Sequence, residues 1–318
     1  MRLHKLGKIF DPMDHDLVSG GVGFAQSPQV LLLEDRIRIY FSTRTRDASG
    51  KFLSHIAFVD FDRTLKNVLD VSRHEVIQLG ALGTFDEHGI FPLSPFQDGL
   101  SIHAYTTGWS RRVSVSVETA VGYVRSDDGG RTFSKPLGAG PILTPVPDEP
   151  FLVGDAFVRR FEDALHMWYI FGIAWKANEQ SIEAERVYKI GHGTSADGVV
   201  WRREAGVPII ADALGPDECQ ALPTVIRFDG AYHMFFCFRE AFGFRTGAGR
   251  GYRIGHAVSV DLQHWCRDDT TFLPGSGSEW DSDMQCYPHA FILDGKALLL
   301  YNGNEFGRYG FGLAEIVA

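Results

Sequence analysis

The sequence predicts an all-β protein folded as a five-bladed β-propeller, and its composition, its strand pattern and an internal repeat carry that prediction. The chain of 318 residues is rich in glycine (35 residues) and in aromatic side chains (13%). Short runs of β-branched and aromatic residues recur between Gly, Asp or Pro, which is typical of strands joined by tight turns. No stretch of helical periodicity reaches the length of an average helix.

The internal repeat gives the number of blades. One apolar strand that follows an acidic turn occurs five times and ends each time in an aromatic residue. These aromatic residues are 64, 64, 67 and 65 positions apart: Phe41, Tyr105, Tyr169, Phe236 and Tyr301. Another apolar strand precedes each turn, so each copy begins as a hairpin. Five such units of about 65 residues account for residues 1–318 as a single propeller domain, without a linker.

The two ends of the chain indicate how the ring of blades would close. The last unit stops after residues 310–317, one strand short of the others. Residues 2–10, before the first unit, have strand-like composition. We therefore expect the N-terminal strand to complete the last blade and to close the ring.

A second repeated turn has a structural explanation. Residues 195–201 read Ser-Ala-Asp-Gly-Val-Val-Trp, and residues 259–265 repeat the Ser-x-Asp pattern and the final Trp. Residues 126–133 resemble the Asp-box of sialidases and related propellers, with Phe133 in the Trp position. Because Ser and Asp side chains bind backbone amides in such turns, we interpret all three as structural turns.

The net charge and the cysteine pattern indicate which partners and which cellular compartment to expect for this protein. Thirty-one Lys and Arg against 40 Asp and Glu give a net charge of −9, which disfavours nucleic acid and anionic membranes. No apolar run approaches the ~20 residues of a membrane-spanning helix, and the first ten residues lack the apolar region of a secretory signal. The four cysteines have no CxxC spacing, so we expect reduced thiols, no zinc and a cytoplasmic location.

Two sets of side chains recur at fixed positions in the units and predict the functional site. Carboxylates lie where the first strand of a unit begins, in four units of five: Asp86 and Glu87, Asp155, Asp217 and Glu218, Asp281 and Asp283. Carboxylates gathered around one axis raise one another's pKa and make acid/base pairs. The candidates for substrate binding are Arg44, Asp86, His88, Trp109, Arg239, Tyr252, Asp283, Tyr287, Asn302 and Asn304. Aromatic faces stack on sugar rings, and Arg and Asn hydrogen-bond to hydroxyl groups or anions.

The repeat, the Ser-x-Asp turns and the acidic strand starts resemble the five-bladed propellers of glycoside hydrolase families 43, 32 and 130. The resemblance implies that Asp155 occupies the place of a family carboxylate in the third unit. It also implies that the Glu218-Cys219 pair is similar to the one holding the general acid in family 32. The first unit departs from the pattern, because Ser27-Pro28 stands where these families have Asp-Pro.

These observations predict an enzyme that cleaves or transfers a glycosidic bond in a small glycan or glycoconjugate. Glu218 is the expected acid, with Asp155 beside it. The second carboxylate is Glu87, Asp86 or Asp283. Glu87 precedes a turn glycine by 12 residues, as Glu218 does, so these two should face each other across the axial funnel. Glycoside hydrolysis needs such a pair on opposite faces of the sugar.

Other functions remain alternatives at this point. The missing Asp-Pro favours a non-catalytic carbohydrate-binding propeller, and several arginines favour a glycoside phosphorylase. A protein-binding scaffold would need an exposed apolar patch that the sequence does not indicate, and a sixth, sialidase-type blade does not fit the length. We expect no cofactor; the oxygen ligands would suffice for one Ca²⁺ in the funnel, but no motif specifies it. The sequence leaves the oligomeric state open.

Overall fold

We describe the protein from a computed structural model, for residues 1–18, 20–178, 181–245, 247, 249–269 and 280–317. Over these residues it is an all-β protein. The helical pieces found there are a short 3₁₀ turn, Pro12–Asp14, and a four-residue turn, Asn304–Gly307 (α1). No helix of the described chain is long and apolar enough to cross a membrane. Within each unit, strands that follow one another along the chain pair antiparallel, and the N-terminal strand joins the last unit.

The first two units share one sheet. Their strands pair antiparallel within each unit, and a single parallel bridge from Ser54 to Gly89 joins the units. The first unit comprises β2 (Gln26–Leu32), β3 (Ile37–Arg46), β4 (Phe52–Phe61) and β5 (Val68–Val71). The second comprises β6 (Gly89–Asp98), β7 (Ser101–Arg111) and β8 (Val117–Ser126).

The third and fourth units are separate four-stranded sheets. The third contains β9 (Val153–Phe161), β10 (Ala164–Asn178), β11 (Ser181–Ser195) and β12 (Arg202–Arg203). The fourth contains β13 (Cys219–Phe228), β14 (Ala231–Arg239), β15 (Arg253–Ser259) and β16 (Cys266–Arg267).

The last sheet joins both ends of the chain. It is built from β17 (Cys286–Leu293), β18 (Lys296–Asn302), β19 (Phe311–Val317) and β1 (Arg2–Phe10). β1 pairs antiparallel with β19 from Arg2↔Val317 to Phe10↔Phe311. The N-terminal segment is therefore the outer strand of the last unit.

The core lies between the sheets and is made by the residues that mark the repeat. The five repeated aromatic residues are each at most 1% exposed. The hydroxyl group of Tyr105 donates to the carbonyl of Gly198, in the turn of the next unit, at 3.0 Å. In that turn, Asp197 accepts hydrogen bonds from the backbone N–H groups of Val199 and Val200 at 2.9 Å each. The Ser-x-Asp turns thus act structurally, as predicted.

The first strand of every unit contains a bulge at the same position. The pairing between first and second strands shifts register there in all five units. Four of the five bulged residues have a left-handed backbone, with φ between 48° and 55°: Ser27, Asp155, Leu222 and Tyr287. A bulge turns its side chain away from the regular alternation of a strand. The repeated bulge therefore decides which side chains face the space between the first strands.

The first strands also contact one another. β2 contacts β6 and β17, β9 contacts β6 and β13, and β13 contacts β17. Each first strand thus touches the first strands of two other units, and their bulges lie close together.

Candidate functional site

A cavity of about 270 Å³ lies where the five units meet. We call it the central cavity. Every unit contributes to its wall, including Phe52, Phe91, Leu152 and Ile170 among the apolar residues. Its polar and aromatic lining comprises Arg44, Ser54, Thr107, Trp109, Thr119, Asp155, Arg186, Tyr188, Tyr252 and Tyr287. The volume is close to the lower end of ordinary small-ligand sites.

Asp155 is the carboxylate that lines the central cavity among the described residues. It sits on the bulge of β9, where its backbone N–H donates to Thr107 Oγ1 at 2.6 Å. Its Oδ2 accepts a hydrogen bond from the N–H of Leu222, the bulged residue of the next unit, at 3.3 Å. Burial raises the pKa of Asp155 to about 7, although the Leu222 N–H and the charge of Arg186 oppose the rise. At neutral pH, a large fraction of the protein molecules therefore has Asp155 in its protonated, neutral form.

Arg44 is fixed in the wall of the cavity by its neighbours. Its Nε donates to Oε1 of Gln26 at 2.9 Å. Its guanidinium lies 4.8 Å from the ring centre of Phe24 and 5.1 Å from that of Phe52. Burial lowers the pKa of Arg44. The predicted binding role is consistent with this position, because the side chain is held in one orientation.

Two tyrosines and a buried arginine form another part of the wall. The hydroxyl groups of Tyr188 and Tyr252 share a short hydrogen bond. Behind them, Nη2 of Arg239 donates to the Tyr188 hydroxyl at 3.1 Å, and the guanidinium lies 3.5 Å from the ring centre of Phe244. Arg239 is 2% exposed and does not line the cavity. Arg239 therefore contacts the cavity wall through Tyr188, and its direct contact with a substrate stays a prediction.

Trp109 and Tyr287 line the cavity as expected, and His88 supports Trp109 from outside it. The rings of His88 and Trp109 stack with their centres 5.9 Å apart. Nδ1 of His88 accepts a hydrogen bond from the backbone N–H of Arg111 at 3.4 Å. His88 is therefore placed as a support for the indole and not as a lining residue.

Glu218, the acid expected from the sequence, lies outside the lining of the central cavity. Its Oε1 accepts from Arg267 at 2.6 Å and from Gln220 at 2.9 Å, and its Oε2 accepts from the N–H groups of Ala213 and Leu214, each at 2.8 Å. Four donors occupy this carboxylate, and it lies outside the lining of the central cavity. The expected common site of Glu218 and Asp155 is not found, because Glu218 is used to tie a loop to β16.

The predicted second carboxylates also lie outside the cavity lining. Oε2 of Glu87 accepts from the N–H of Gly83 at 2.9 Å, so Glu87 does not face Glu218 across the cavity. Asp86 is buried and pairs with Lys135 at 2.5 Å. Asp283 lies beside a separate surface pocket. The first two hold loops, and none of the three opposes Asp155.

The two asparagines of the last unit hold the backbone rather than line the cavity. The side chain of Asn302 accepts from the N–H of the bulged Ser27 at 2.7 Å and donates to two backbone carbonyls. Oδ1 of Asn304 accepts from the N–H groups of Asp283 and Met284, at 2.9 and 3.0 Å. Neither asparagine lines the central cavity, and their role in substrate binding stays a prediction.

Several polar residues of the cavity wall were not predicted from the sequence: Ser54, Thr107, Thr119, Arg186 and Tyr188. A signal for Tyr188 exists in the sequence, since Tyr188 and Tyr252 begin two equivalent strands 64 residues apart. Arg186 lies two residues before Tyr188 on β11, so strand alternation places both side chains on the same face.

Within the described ranges, no group of three or more His, Cys, Asp or Glu side chains could hold a metal ion. The four cysteines are free thiols; three are buried and Cys266 is exposed.

Similarity to known protein sequences identifies the family of this chain. Over 324 aligned positions the chain is 31% identical to the uncharacterized protein Rv1502 of Mycobacterium tuberculosis (strain ATCC 25618 / H37Rv), with 99% of both chains covered. The chain belongs to the same family as Rv1502. The protein MT1551 of strain CDC 1551 / Oshkosh is equally similar. No family model matches the chain.

Solved structures show what fold the Rv1502 family has. A protein described as a glycoside hydrolase has a TM-score of 0.73 and 16% identity, covering 99% of this chain and 92% of that one. A β-1,2-mannobiose phosphorylase from Listeria innocua has a TM-score of 0.67 and 11% identity, covering 99% and 97%. A thermostable family-43 glycoside hydrolase has a TM-score of 0.60 and 14% identity, covering 93% and 89%. The resemblance to the propellers of families 43, 32 and 130 is thereby confirmed at the level of fold.

Proposed function

We propose that the protein cleaves or transfers a glycosidic bond in a small glycan, with Asp155 as the acid. The observation that carries this proposal is a buried carboxyl group whose pKa is raised to about 7, in a cavity lined by aromatic and hydroxyl side chains. The similarity in fold to glycoside hydrolases and a phosphorylase supports the same reaction class. The partner of the protein is then a carbohydrate.

The chemistry assigns one step to Asp155. Breaking the bond between the anomeric carbon and the leaving oxygen places negative charge on that oxygen, and an acid that protonates it lowers the barrier. The neutral Asp155 carboxyl donates its proton to the leaving oxygen as the bond breaks. A water molecule or another hydroxyl group forms the new bond to the anomeric carbon, and its proton returns to the Asp155 carboxylate.

The opposite face of the sugar has no carboxylate among the described lining residues. In the usual mechanism a second carboxylate attacks the anomeric carbon or activates water there. Arg44 and Arg186 in the same lining favour an anionic nucleophile instead. Inorganic phosphate would form the new bond without a base, which makes glycoside phosphorolysis the second candidate.

The wall of the cavity suits a sugar. The Trp109 indole, held by His88, presents an aromatic face, and Thr107, Tyr188 and Tyr252 present hydroxyl groups. Sugars bind through this combination of an apolar face and a hydrogen-bonding edge.

The test is turnover of aryl glycosides and of small oligosaccharides, each with and without inorganic phosphate. We expect turnover by the wild type and a loss of about 10²-fold or more in Asp155→Asn on substrates with poor leaving groups, since that is the usual contribution of an acid catalyst. Asp283→Asn is the matched control, because Asp283 lies outside the cavity, and it should leave turnover unchanged. Equal turnover by Asp155→Asn would remove Asp155 from this role.

A non-catalytic carbohydrate-binding protein is the remaining alternative. It is favoured by the single carboxylate among the described lining residues. In that case sugars bind in the cavity, no substrate of the panel is turned over, and Asp155→Asn alters binding only.

We also propose that the five units close into one five-bladed ring. The contacts of each first strand with two others and the pairing of β1 with β19 support closure. In such a ring the five bulges surround one axis, which explains why all five units reach the central cavity.

A further inference from the structure

The central cavity carries more positive than negative charge, although the protein as a whole is acidic. Its described lining contains two arginines and one carboxyl group, and the chain has a net charge of −9. We propose that the glycan entering this cavity carries an oxyanion, a carboxylate or a phosphate ester, and that Arg44 and Arg186 bind it. This inference rests on the proposal that the cavity takes a glycan, but it does not require turnover.

Arg44 has the geometry of a prepared anion-binding group. Its Nε is occupied by Gln26, and two aromatic rings fix the plane of its guanidinium. Among the described residues no carboxylate pairs with it, so its two terminal amino groups remain for a ligand. A guanidinium fork binds a carboxylate or a phosphate through two parallel hydrogen bonds.

Arg186 supplies the second positive charge, from the third unit. It projects from β11 into the same cavity and makes no ion pair within the described chain. Its charge acts on Asp155 without a direct salt bridge between them. Arg44 belongs to the first unit and Arg186 to the third, so an anion between them would contact both units.

The surroundings do not neutralise this charge. Arg239, behind Tyr188, is fully buried and adds a third guanidinium without a described carboxylate partner. Its Nε has no hydrogen-bond partner in the described structure. Partly buried cations lose hydration, and an anionic ligand compensates this loss where a neutral sugar cannot. The preference for an anion therefore follows from the charges of the wall.

Binding measurements on matched sugars test the inference. The probes are glucuronate against glucose, galacturonate against galactose, and glucose 6-phosphate against glucose, titrated calorimetrically at low salt. Inorganic phosphate is titrated alone. We expect at least one acidic sugar to bind about 10-fold or more tightly than its neutral counterpart. Arg44→Met and Arg186→Met should each abolish that preference.

Arg160→Met is the matched control, because Arg160 is exposed, pairs with Asp98 and lies outside the central cavity. It should keep the preference. Arg44→Lys retains the charge without the fork, so it should weaken the acidic sugar less than Arg44→Met does. Thermal melting of each variant identifies any that fails to fold, and the remaining arginine variant then decides.

The outcomes separate this inference from the proposed function. If no acidic sugar binds better than its neutral counterpart, the inference is wrong, even if neutral glycosides are turned over. If inorganic phosphate binds alone and the acidic sugars show no preference, the arginines hold a free ion and the inference is also wrong. If acidic sugars bind preferentially without any turnover, the inference stands and the enzymatic proposal fails.

Discussion

At the scale of single residues, the environment of Asp155 decides its chemistry. Its equivalents at the other left-handed bulges are Ser27, Leu222 and Tyr287, so the same backbone geometry carries four different side chains. Glu218, in contrast, is buried beside Arg267 and accepts four hydrogen bonds. Burial favours the neutral acid at Asp155, whereas the hydrogen bonds of Glu218 tie a loop to β16. Environment rather than residue type separates an acid from a structural carboxylate.

The raised pKa of Asp155 predicts a pH profile. Arg186, the Leu222 N–H and the Cys237 thiol are the groups that interact with it. Turnover should fall as the pH rises through about 7, because the acid then loses its proton. Arg186→Gln should move this fall to higher pH, since the charge of Arg186 lowers the pKa of Asp155. The measurement is the pH dependence of kcat/KM, which reports the acid of the free enzyme; a value that stays constant to pH 9 would contradict the assignment.

At the scale of elements, two units carry a stacked histidine pair between their second and third strands. Nδ1 of His166 lies 3.0 Å from Nε2 of His192, and Nδ1 of His233 lies 3.1 Å from Nε2 of His256. In each pair one nitrogen must accept, so at least one imidazole stays neutral. Burial and the neighbouring imidazole lower the pKa of His192 and of His256 to about 4. Protonation of these histidines therefore opposes the hydrogen bonds between the second and third strands of the two units.

These pairs predict a loss of stability in mild acid. An unfolded chain binds protons at its histidines below pH ~6.5, while the folded pairs resist protonation until about pH 4. The free energy of unfolding should therefore fall as the pH drops from 6.5 to 4. Urea unfolding across this range measures it. The double variant His192→Phe, His256→Phe keeps the stacked rings and should show a shallower fall; an unchanged slope would assign the effect to other groups.

At the scale of the whole molecule, the two ends of the chain meet in the last sheet. Lys5 of β1 donates to Asp281 at 2.7 Å, and that carboxylate is fully buried and also accepts from Tyr301. The link joins residues 276 positions apart in sequence. β1 also covers the edge of β19, which would otherwise expose unpaired backbone groups. The N-terminal strand thus stabilises the last unit.

This link predicts different effects for two lysines of the same sheet. Lys5→Ala should lower the free energy of unfolding by about 2 kcal/mol, because it removes a charged hydrogen-bond donor from a buried carboxylate. Lys296→Ala, whose pair with Glu315 is largely exposed, should change it by less than about 0.5 kcal/mol. Chemical denaturation measures both. Equal effects would mean that the β1 contact does not contribute to stability through Asp281.

The predicted site residues divide into those that line the central cavity and those that do not. Recurrence at fixed offsets gave Asp155, Trp109, Tyr287 and Arg44, and these four line the central cavity together with Tyr252, another predicted site residue. The same offsets also gave Glu87, Glu218 and Asn302, which hold loops or strands instead. A repeat places a residue at a position in a unit, but it does not say which donors surround that residue. Glu218 meets Arg267 only because β16 packs next to it.

The sequence by itself determined the all-β class, the five repeating units, the structural turns and the pairing of the N-terminal strand with the last unit. These features follow from local patterns, since strand alternation, turn residues and buried aromatics act over a few positions or recur with the repeat. Only the tertiary structure decided which carboxyl group lines the cavity and which cations surround it. Burial and charge depend on side chains brought together from all five units, and no local pattern records those distances.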